Sequence, residues 1–240
     1  MDQVMLGAFR SAGQKKCTAT SRLIVTEGIA DQFLTELATR VDALVVGDPT
    51  DEATQMGPVI TGAAQRNIYG DLGTAMAQDA EVLAGGEPYF KGLLAEGFFF
   101  VAPTLVELTA PADIWSEELF GPVLTARRAT DADEAFALAN DSEFGLSAAV
   151  FTQDLTRALH AVEHIDVGGV LHINSESAGA DPHVPFGGGE EERTRPQRAG
   201  HRSARVLHPH HHRVSALRSH SPANSRASVL THAQCPTARR

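Results

Sequence analysis

Cysteine and long apolar runs are both scarce in this sequence. Its 240 residues include two cysteines, Cys17 and Cys235, which are too few for a disulfide framework and indicate a reducing compartment. No run of about 18 apolar residues occurs, which argues against a membrane-spanning helix. The first four residues include an acid and no basic stretch, unlike a secretory signal. We therefore expect a cytoplasmic protein without a membrane partner.

Residues 189–240 lack aromatic residues, isoleucine, lysine and aspartate altogether. They carry 10 arginines against 3 glutamates, whereas residues 1–188 carry 10 basic against 27 acidic residues. A segment of this composition buries too little apolar surface to offset the entropy lost when it becomes ordered. We expect a disordered Arg/His-rich tail that begins after a boundary at Gly187–Gly189.

The tail invites two other interpretations. His208 to His212 resembles a metal-binding tract, although accidental composition explains it as well. The arginines could attract nucleic acid electrostatically, yet the tail has no aromatic residues to stack on bases. We predict neither a metal site nor a nucleic-acid partner, and we regard Cys235 as a bystander.

Residues 1–188 alternate short apolar segments with helical patterns. Strands are predicted at residues 21–25, 98–101, 123–127, 147–152 and 169–174, and helices at residues 29–46, 61–80, 131–140 and 154–164. Such alternation is typical of an α/β fold. We expect one domain over residues 1–188.

Cys17 lies in a predicted turn just before the first strand. A lone cysteine is usually a small buried hydrophobic residue, so its type alone does not indicate catalysis. Its surroundings are more specific, because Gly13-Gln14 precedes it and Thr18-Ala19-Thr20-Ser21-Arg22 follows. Three more segments follow in order: Glu117-Glu118-Leu119-Phe120-Gly121-Pro122, then Asn174 after the last strand, then Pro185-Phe186-Gly187-Gly188.

Together these segments resemble the catalytic-thiol half of the aldehyde dehydrogenase family. The resemblance covers about residues 1–188 and implies a mostly parallel sheet flanked by helices. It also implies an NAD- or NADP-dependent oxidation of a small aldehyde to a carboxylic acid. In such a reaction a cysteine thiolate forms a thiohemiacetal and then a thioester, which water hydrolyses.

The resemblance implies a role for each matched residue. Cys17 would be the nucleophile, and its backbone N–H would stabilise the oxyanion. Glu118 would hold the nicotinamide ribose hydroxyls and Phe120 would pack beside the nicotinamide. Gln14, Asn174 and Phe186 would belong to the substrate pocket or to structural motifs around it. The alternative for Glu117 and Glu118 is a solvated acidic pair before a strand.

The substrate signal is weaker than the family signal. The stretch from Cys17 to Arg22 and the stretch from Asn174 to Gly188 look like the 2-oxoglutarate semialdehyde (2,5-dioxovalerate) dehydrogenases. The resemblance therefore suggests a semialdehyde of a short dicarboxylate as substrate.

Two departures bear on activity. The family has roughly twice this length, and its other half holds the nucleotide-binding domain, the glutamate base and the oxyanion-hole asparagine. No Gly-rich phosphate loop is found in these 240 residues.

The second departure is the pair Lys15 and Lys16 between Gln14 and Cys17, where the family has one residue. The extra residue could displace the thiol, and the lysines could also lower its pKa.

The third departure is the tail itself, which lacks the family's Arg-Glu-Gln-Gly segment and terminal strand. Residues 195–202 can be written in codons that, read one base later, encode Gly-Pro-Arg-Glu-Gln-Gly-Ile. Residues 208–215 can likewise be written to encode a Thr-rich strand followed by a stop. We hypothesise a frameshift near Gly188–Glu190, and we expect the sheet to keep one unpaired edge because the terminal strand is lost.

Two functions therefore stay open at this point. The chain is either an aldehyde dehydrogenase fragment that retains the nucleophile, or a catalytically inactive remnant that at most associates with full-length subunits. In either case we expect the chain alone to be inactive, and a homo-oligomer of the family type is doubtful.

Overall fold

A computed structural model describes residues 1–10, 12–89, 98–179 and 229–233. Phe186, Cys235 and the histidines from His208 to His212 lie outside these residues. None of the helices in these residues combines the length and the apolar content that a membrane span requires.

Five α-helices are present in the described part of the chain. They are α1 (Asp2–Met5), which continues into a π-helical turn at Leu6–Arg10, α2 (Glu27–Asp42), α3 (Gly62–Ala77), α4 (Ala132–Asn140) and α5 (Leu155–His164). Side chains cap three of the helices, since Thr61, Asp131 and Asp154 each accept a hydrogen bond from a backbone N–H in the first turn.

Seven strands of the described residues form one sheet. They are β1 (Thr20–Thr26), β2 (Glu81–Ala84), β3 (Thr104–Glu107), β4 (Val123–Ala129), β5 (Ser147–Phe151), β6 (Val170–Ile173) and β7 (Val229–Ala233). Their order across the sheet is β2-β3-β4-β1-β7-β5-β6. Strands β3, β4, β1, β5 and β6 run in one direction, while β2 and β7 run in the other. The expected α/β fold with a mostly parallel sheet and flanking helices is confirmed.

The expected elements of residues 1–188 form with small shifts, apart from one strand. Phe98–Val101 was expected to be a strand, but its only pairing in the described residues is an isolated bridge between Phe99 and Val59. The strand lies just beyond, at β3, and Pro103 separates the two. At the start of α4 the Asp131 carboxylate accepts from the backbone N–H of Glu134, while Glu134 Oε2 accepts from the backbone N–H of Thr130.

The tail contains a strand that we did not expect. Residues 229–233 form β7, which pairs antiparallel with β1 on one side and with β5 on the other. These five residues form a strand within the tail that we expected to be disordered, and both neighbours of β7 are paired where we expected the loss of the last strand to leave an edge. The reason lies in the strands that receive the segment, because its backbone pairs with β1 and β5 while Val229 and Leu230 enter the two cores.

Successive residues of β1 face opposite sides of the sheet and enter different cores. Leu23 and Val25 pack with the apolar residues of α2, while Ile24 packs with those of α3, α4 and α5. Strand β7 follows the same alternation, since Val229 enters the first core and Leu230 the second. The sheet is therefore covered on both faces and β7 contributes to both.

A buried arginine joins β1 to the end of α4. Arg22 is 1% exposed, and its guanidinium donates to the backbone carbonyls of Ala139 and Asp141 while lying 5.1 Å from the centre of the Trp115 ring. Burial lowers the pKa of Arg22 to about 10. The last carbonyls of a helix attract a cation, so this contact fixes α4 against the centre of the sheet.

Leu230 tests whether β7 occupies the centre of the sheet in solution. Leu230→Ala removes a side chain that is 1% exposed, and we expect the free energy of unfolding in urea to fall by about 2–5 kcal/mol. The matched control is Thr231→Val. Within the described residues the Thr231 hydroxyl is buried without a hydrogen-bond partner, so this change should be neutral or stabilising. If Leu230→Ala unfolded at the same urea concentration as the parent, β7 would not be part of the folded sheet.

Candidate active site

Cys17 lies in a tight turn that leads into β1. The backbone N–H of Ala19 donates to the carbonyl of Lys16 at 2.9 Å, which places Cys17 and Thr18 at the two central positions of the turn. The thiol is free and partly exposed. We call residues 14–19 the thiol loop.

Gln14 fixes the start of the thiol loop. Its side chain is 5% exposed, and its Nε2 donates to the carbonyl of Val123 at 2.7 Å. Its φ of 58° lies in the left-handed region, as does that of Gly13. The backbone therefore reverses sharply here, and the amide links the thiol loop to the first residue of β4.

The two lysines of the thiol loop bond to different segments of the chain. Lys15 Nζ donates to the carbonyl of Pro58 at 2.7 Å, and Lys16 Nζ donates to the carbonyl of Ala178. Desolvation by burial lowers the pKa of Lys15. Whether their presence displaces the thiol from the family's position stays a prediction, but both side chains have defined partners.

A group of hydroxyls packs beneath the turn. Ser177 Oγ donates to the carbonyl of Thr18 at 3.2 Å. Because the Ser177 hydroxyl hydrogen is used there, the Thr20 hydroxyl is the donor in the 2.8 Å hydrogen bond between Thr20 Oγ1 and Ser177 Oγ. Thr18 Oγ1 donates to the carbonyl of Ala178 at 3.2 Å, and Ser147 Oγ donates to the carbonyl of Ser177 at 2.7 Å. Ser177 thus connects the start of β1 with the start of β5, across the position of β7.

Residues 117–122, which we call the aromatic loop, lie beside the thiol loop. Strands β1 and β4 are parallel neighbours, and each loop immediately precedes its strand, so both loops lie at the same edge of the sheet. Phe120 is 40% exposed with a φ of 51°, and Glu118 is half-buried. A side chain at Gly121 would lie 2.3 Å from Ile68 of α3, so glycine allows the loop to pack closely on that helix.

Asn174 lies at the other end of the strands. It follows the carboxyl end of β6, and its side-chain amide accepts from the N–H of Thr152 and donates to the carbonyl of Thr152, both at 2.9 Å. Both polar atoms are therefore bonded to the backbone that follows β5. The structure brings Gln14, Cys17, Glu118 and Phe120 to one edge, and it places Asn174 apart from them.

Two further polar groups lie at the edge that carries the thiol loop, namely the backbone N–H of Cys17 and the carboxylate of Glu176. No group within residues 1–10, 12–89, 98–179 and 229–233 accepts a hydrogen bond from the N–H of Cys17. Desolvation by burial raises the pKa of Glu176, and the nearby charge of Lys16 opposes that shift. The backbone N–H of Glu176 donates to Gln3 Oε1 of α1, which places the N-terminal helix against this loop.

The sequence analysis missed Ser177 and Glu176 as neighbours of the thiol loop, and it gave the Thr18 side chain no contact of its own. Their signal is present in the chain as two hydroxyl-rich stretches, Thr18 to Ser21 and Ser175 to Ser177. These stretches are far apart in sequence, and only the return of the chain after β6 brings them together.

Comparison with known proteins decides the family. The model of the aldehyde dehydrogenase family matches residues 1–195. The chain belongs to the aldehyde dehydrogenase family. It is 38% identical over 187 residues to an alpha-ketoglutaric semialdehyde dehydrogenase of Bacillus subtilis strain 168, a match that covers 78% of this chain and 38% of that protein.

Other members of the family are as similar. A betaine aldehyde dehydrogenase of Brucella melitensis is 40% identical over 185 residues, covering 77% of this chain and 37% of that protein. The solved structure of Staphylococcus aureus betaine aldehyde dehydrogenase in complex with NAD⁺ superposes with a TM-score of 0.72 at 33% identity, covering 78% of this chain and 37% of that chain. The chain thus spans less than two fifths of the length of these relatives.

Gln14 tests how the thiol loop is held. Gln14→Ala leaves the Val123 carbonyl without its partner, and we expect the free energy of unfolding to fall by about 1–3 kcal/mol. Gln14→Gly also loses the bond but suits the left-handed backbone, so it should cost less than alanine. Urea denaturation of both variants measures the difference. A glycine variant less stable than the alanine variant would contradict the backbone geometry described here.

Glu176 gives a prediction for pH dependence. Because burial raises its pKa in the folded state, its contribution to stability is present when the carboxyl is protonated and is lost as pH rises from its ordinary pKa of 4.5 through the folded value. Glu176→Gln should therefore raise the urea midpoint at pH 7 and have little effect at or below pH 4.5. In a Lys16→Met background the gain at pH 7 should be larger, since the opposing charge is absent. A gain independent of pH would rule out the titration of Glu176 as its cause.

Proposed function

We propose that this chain carries the thiol part of an NAD(P)-dependent oxidation of an aldehyde to a carboxylic acid, with Cys17 as the nucleophile. The observation that supports this most directly is the position of the partly exposed Cys17 turn beside the aromatic loop, at one edge of the sheet. The proposal includes a reducing, cytosolic compartment, which keeps the thiol available.

The residues of the thiol loop suit the covalent steps. The Cys17 thiolate attacks the aldehyde carbonyl to form a thiohemiacetal, and after oxidation the acyl group remains on the same sulfur as a thioester. The backbone N–H of Cys17, which has no acceptor within the described residues, is suited to donate to the oxyanion formed by this attack. Hydrogen bonds of Gln14, Lys15 and Lys16 hold the loop while the bond forms.

The aromatic loop fits one end of a nicotinamide cofactor. A carboxylate can accept hydrogen bonds from two ribose hydroxyls, and an exposed aromatic ring offers a face for stacking. Glu118 and Phe120 provide these groups within three residues of each other. When bound, the cofactor would supply the hydride acceptor. NAD fits as well as NADP, because neither residue would contact the 2′-position of the adenosine ribose.

The aldehyde is the least defined part of the proposal. We favour a semialdehyde of a short dicarboxylate, on the resemblance of residues 17–22 and 174–188 to enzymes of that specificity. Betaine aldehyde is the alternative, because relatives with that activity are as similar to this chain.

We further propose that the 240 residues alone do not complete the reaction. They contain no phosphate-binding glycine loop, and the resemblance implies that the glutamate base belongs to the half of the family that these residues do not match. Loss of a general base costs about 10²–10⁴-fold in rate. The alternative, an inactive remnant that at most associates with full-length subunits, predicts in addition that Cys17 has no special reactivity.

An ester substrate separates these two proposals, because acyl transfer to a thiol needs no cofactor. With p-nitrophenyl acetate, the purified chain should release a burst of p-nitrophenolate that Cys17→Ala abolishes. The matched control is Cys235→Ala, which should leave the burst unchanged. The same preparations should form no NADH or NADPH from 2-oxoglutarate semialdehyde or betaine aldehyde.

The outcomes are distinct. No burst, or a burst that requires Cys235 instead, would favour the inactive remnant. Steady NADH or NADPH formation that Cys17→Ala abolishes would show that the 240 residues are a complete enzyme and would overturn the proposed inactivity.

A further inference from the structure

Helices α4 and α5 present an open groove on their surface, away from the thiol loop. Its lining, which we call the histidine groove, consists of Asp133, Phe136, Ala137, Asn140, His160 and His164. None of these residues is hydrogen-bonded to the thiol loop or to the aromatic loop. The groove therefore lies outside the candidate active site.

The two histidines lie together on one face of α5. They are four residues apart in the helix, which places them one turn from each other on the same side. Their ring centres are 3.9 Å apart with the rings inclined at 59°. The ring of Phe136 contacts His160 edge-on, with ring centres 5.6 Å apart, and limits its rotation.

One ring nitrogen of each histidine faces an acceptor, and in His164 it lies within hydrogen-bonding distance. His164 Nδ1 lies 2.9 Å from the carbonyl of His160, and since a carbonyl can only accept, this Nδ1 carries the hydrogen. His160 Nδ1 lies 3.6 Å from Asp133 Oδ1, and the carboxylate favours the hydrogen on that nitrogen too. In the neutral rings the lone pair is then on Nε2 of both histidines.

This arrangement is typical of histidines that bind metals. A metal-binding imidazole usually donates its second nitrogen to a carboxylate or a backbone carbonyl, which fixes the tautomer and orients the ring. Imidazole nitrogen suits Cu²⁺, Ni²⁺ and Zn²⁺, whereas Mg²⁺ prefers oxygen. Among the described residues no group of three or more His, Cys, Asp or Glu side chains is placed to hold a metal, so the groove offers two nitrogen ligands and water would supply the others.

We propose that His160 and His164 form a two-imidazole site for a divalent transition metal ion, bound through both Nε2 atoms. Asp133 orients His160 and is not a ligand. Cu²⁺ binds more tightly than Zn²⁺, following the general order of affinities for nitrogen ligands, and Mg²⁺ does not bind.

The histidine tract from His208 to His212 would compete for the metal in a direct titration, so the test begins by removing its four histidines. In a chain with His208, His210, His211 and His212 all changed to alanine, calorimetric titration with CuCl₂ and with ZnCl₂ should show binding of one equivalent. His164→Gln in that background should weaken the binding at least tenfold, and Asp133→Asn should weaken it less. Glu163→Gln, an exposed position on the same helix, is the matched control and should change nothing.

A second readout does not depend on any substitution in the groove. The electron paramagnetic resonance spectrum of the Cu²⁺-loaded, tail-substituted chain should show coupling to two imidazole nitrogens. No binding in that background, binding unchanged by both His160→Gln and His164→Gln, or a spectrum with fewer than two nitrogens would overturn the proposal. Circular dichroism of each variant checks that the total helix content is unchanged in the comparison.

Discussion

The pairing of β7 with both β1 and β5 is the constraint on which the rest of the sheet depends. Without those five residues the described strands fall into two groups, β2-β3-β4-β1 and β5-β6, with no backbone hydrogen bond between them. A buried strand edge with unsatisfied N–H and C=O groups is costly. Since Leu230 and Val229 also enter different cores, β7 joins the two parts of the domain through its backbone and its side chains together.

The polar contacts of the candidate site follow from this arrangement. Ser177 contacts Thr20 at the start of β1 and Ser147 at the start of β5, and these two strands are held two positions apart by β7. The spacing expected for two strand separations is about 9–10 Å. The turn that carries Cys17 therefore rests on groups whose separation is set by a strand from the far end of the chain.

Much of the domain was predictable because its helices and strands have strong local signals. The strand from Thr20, the helix from Glu27 and the helix capped by Asp131 were all found from periodicity and caps. Motifs with fixed residue types, such as Glu118 to Pro122, indicated the family, which the family model confirmed. The short strand β3 was misplaced by a few residues because Pro103 and two apolar runs lie side by side.

What could not be predicted depends on contacts between distant residues. Nothing in the pentapeptide at residues 229–233 distinguishes it locally from other parts of the tail except a short apolar run, and its role comes from the two strands that receive it. The partners of Lys15 and Lys16 are carbonyl groups at Pro58 and Ala178, which a sequence pattern does not specify. One contact of the histidine pair likewise comes from a separate element, since His160 faces Asp133 of α4.

The location of β7 also has a consequence for biosynthesis. A ribosome makes the chain from its N-terminus, so β1 and β5 emerge long before the strand that separates them. Until residue 233 has left the exit tunnel, both strands expose an edge that can pair with another nascent chain. Pairing between residues so distant in sequence is also slow to form, which makes the newly synthesised chain a substrate for chaperones during that interval.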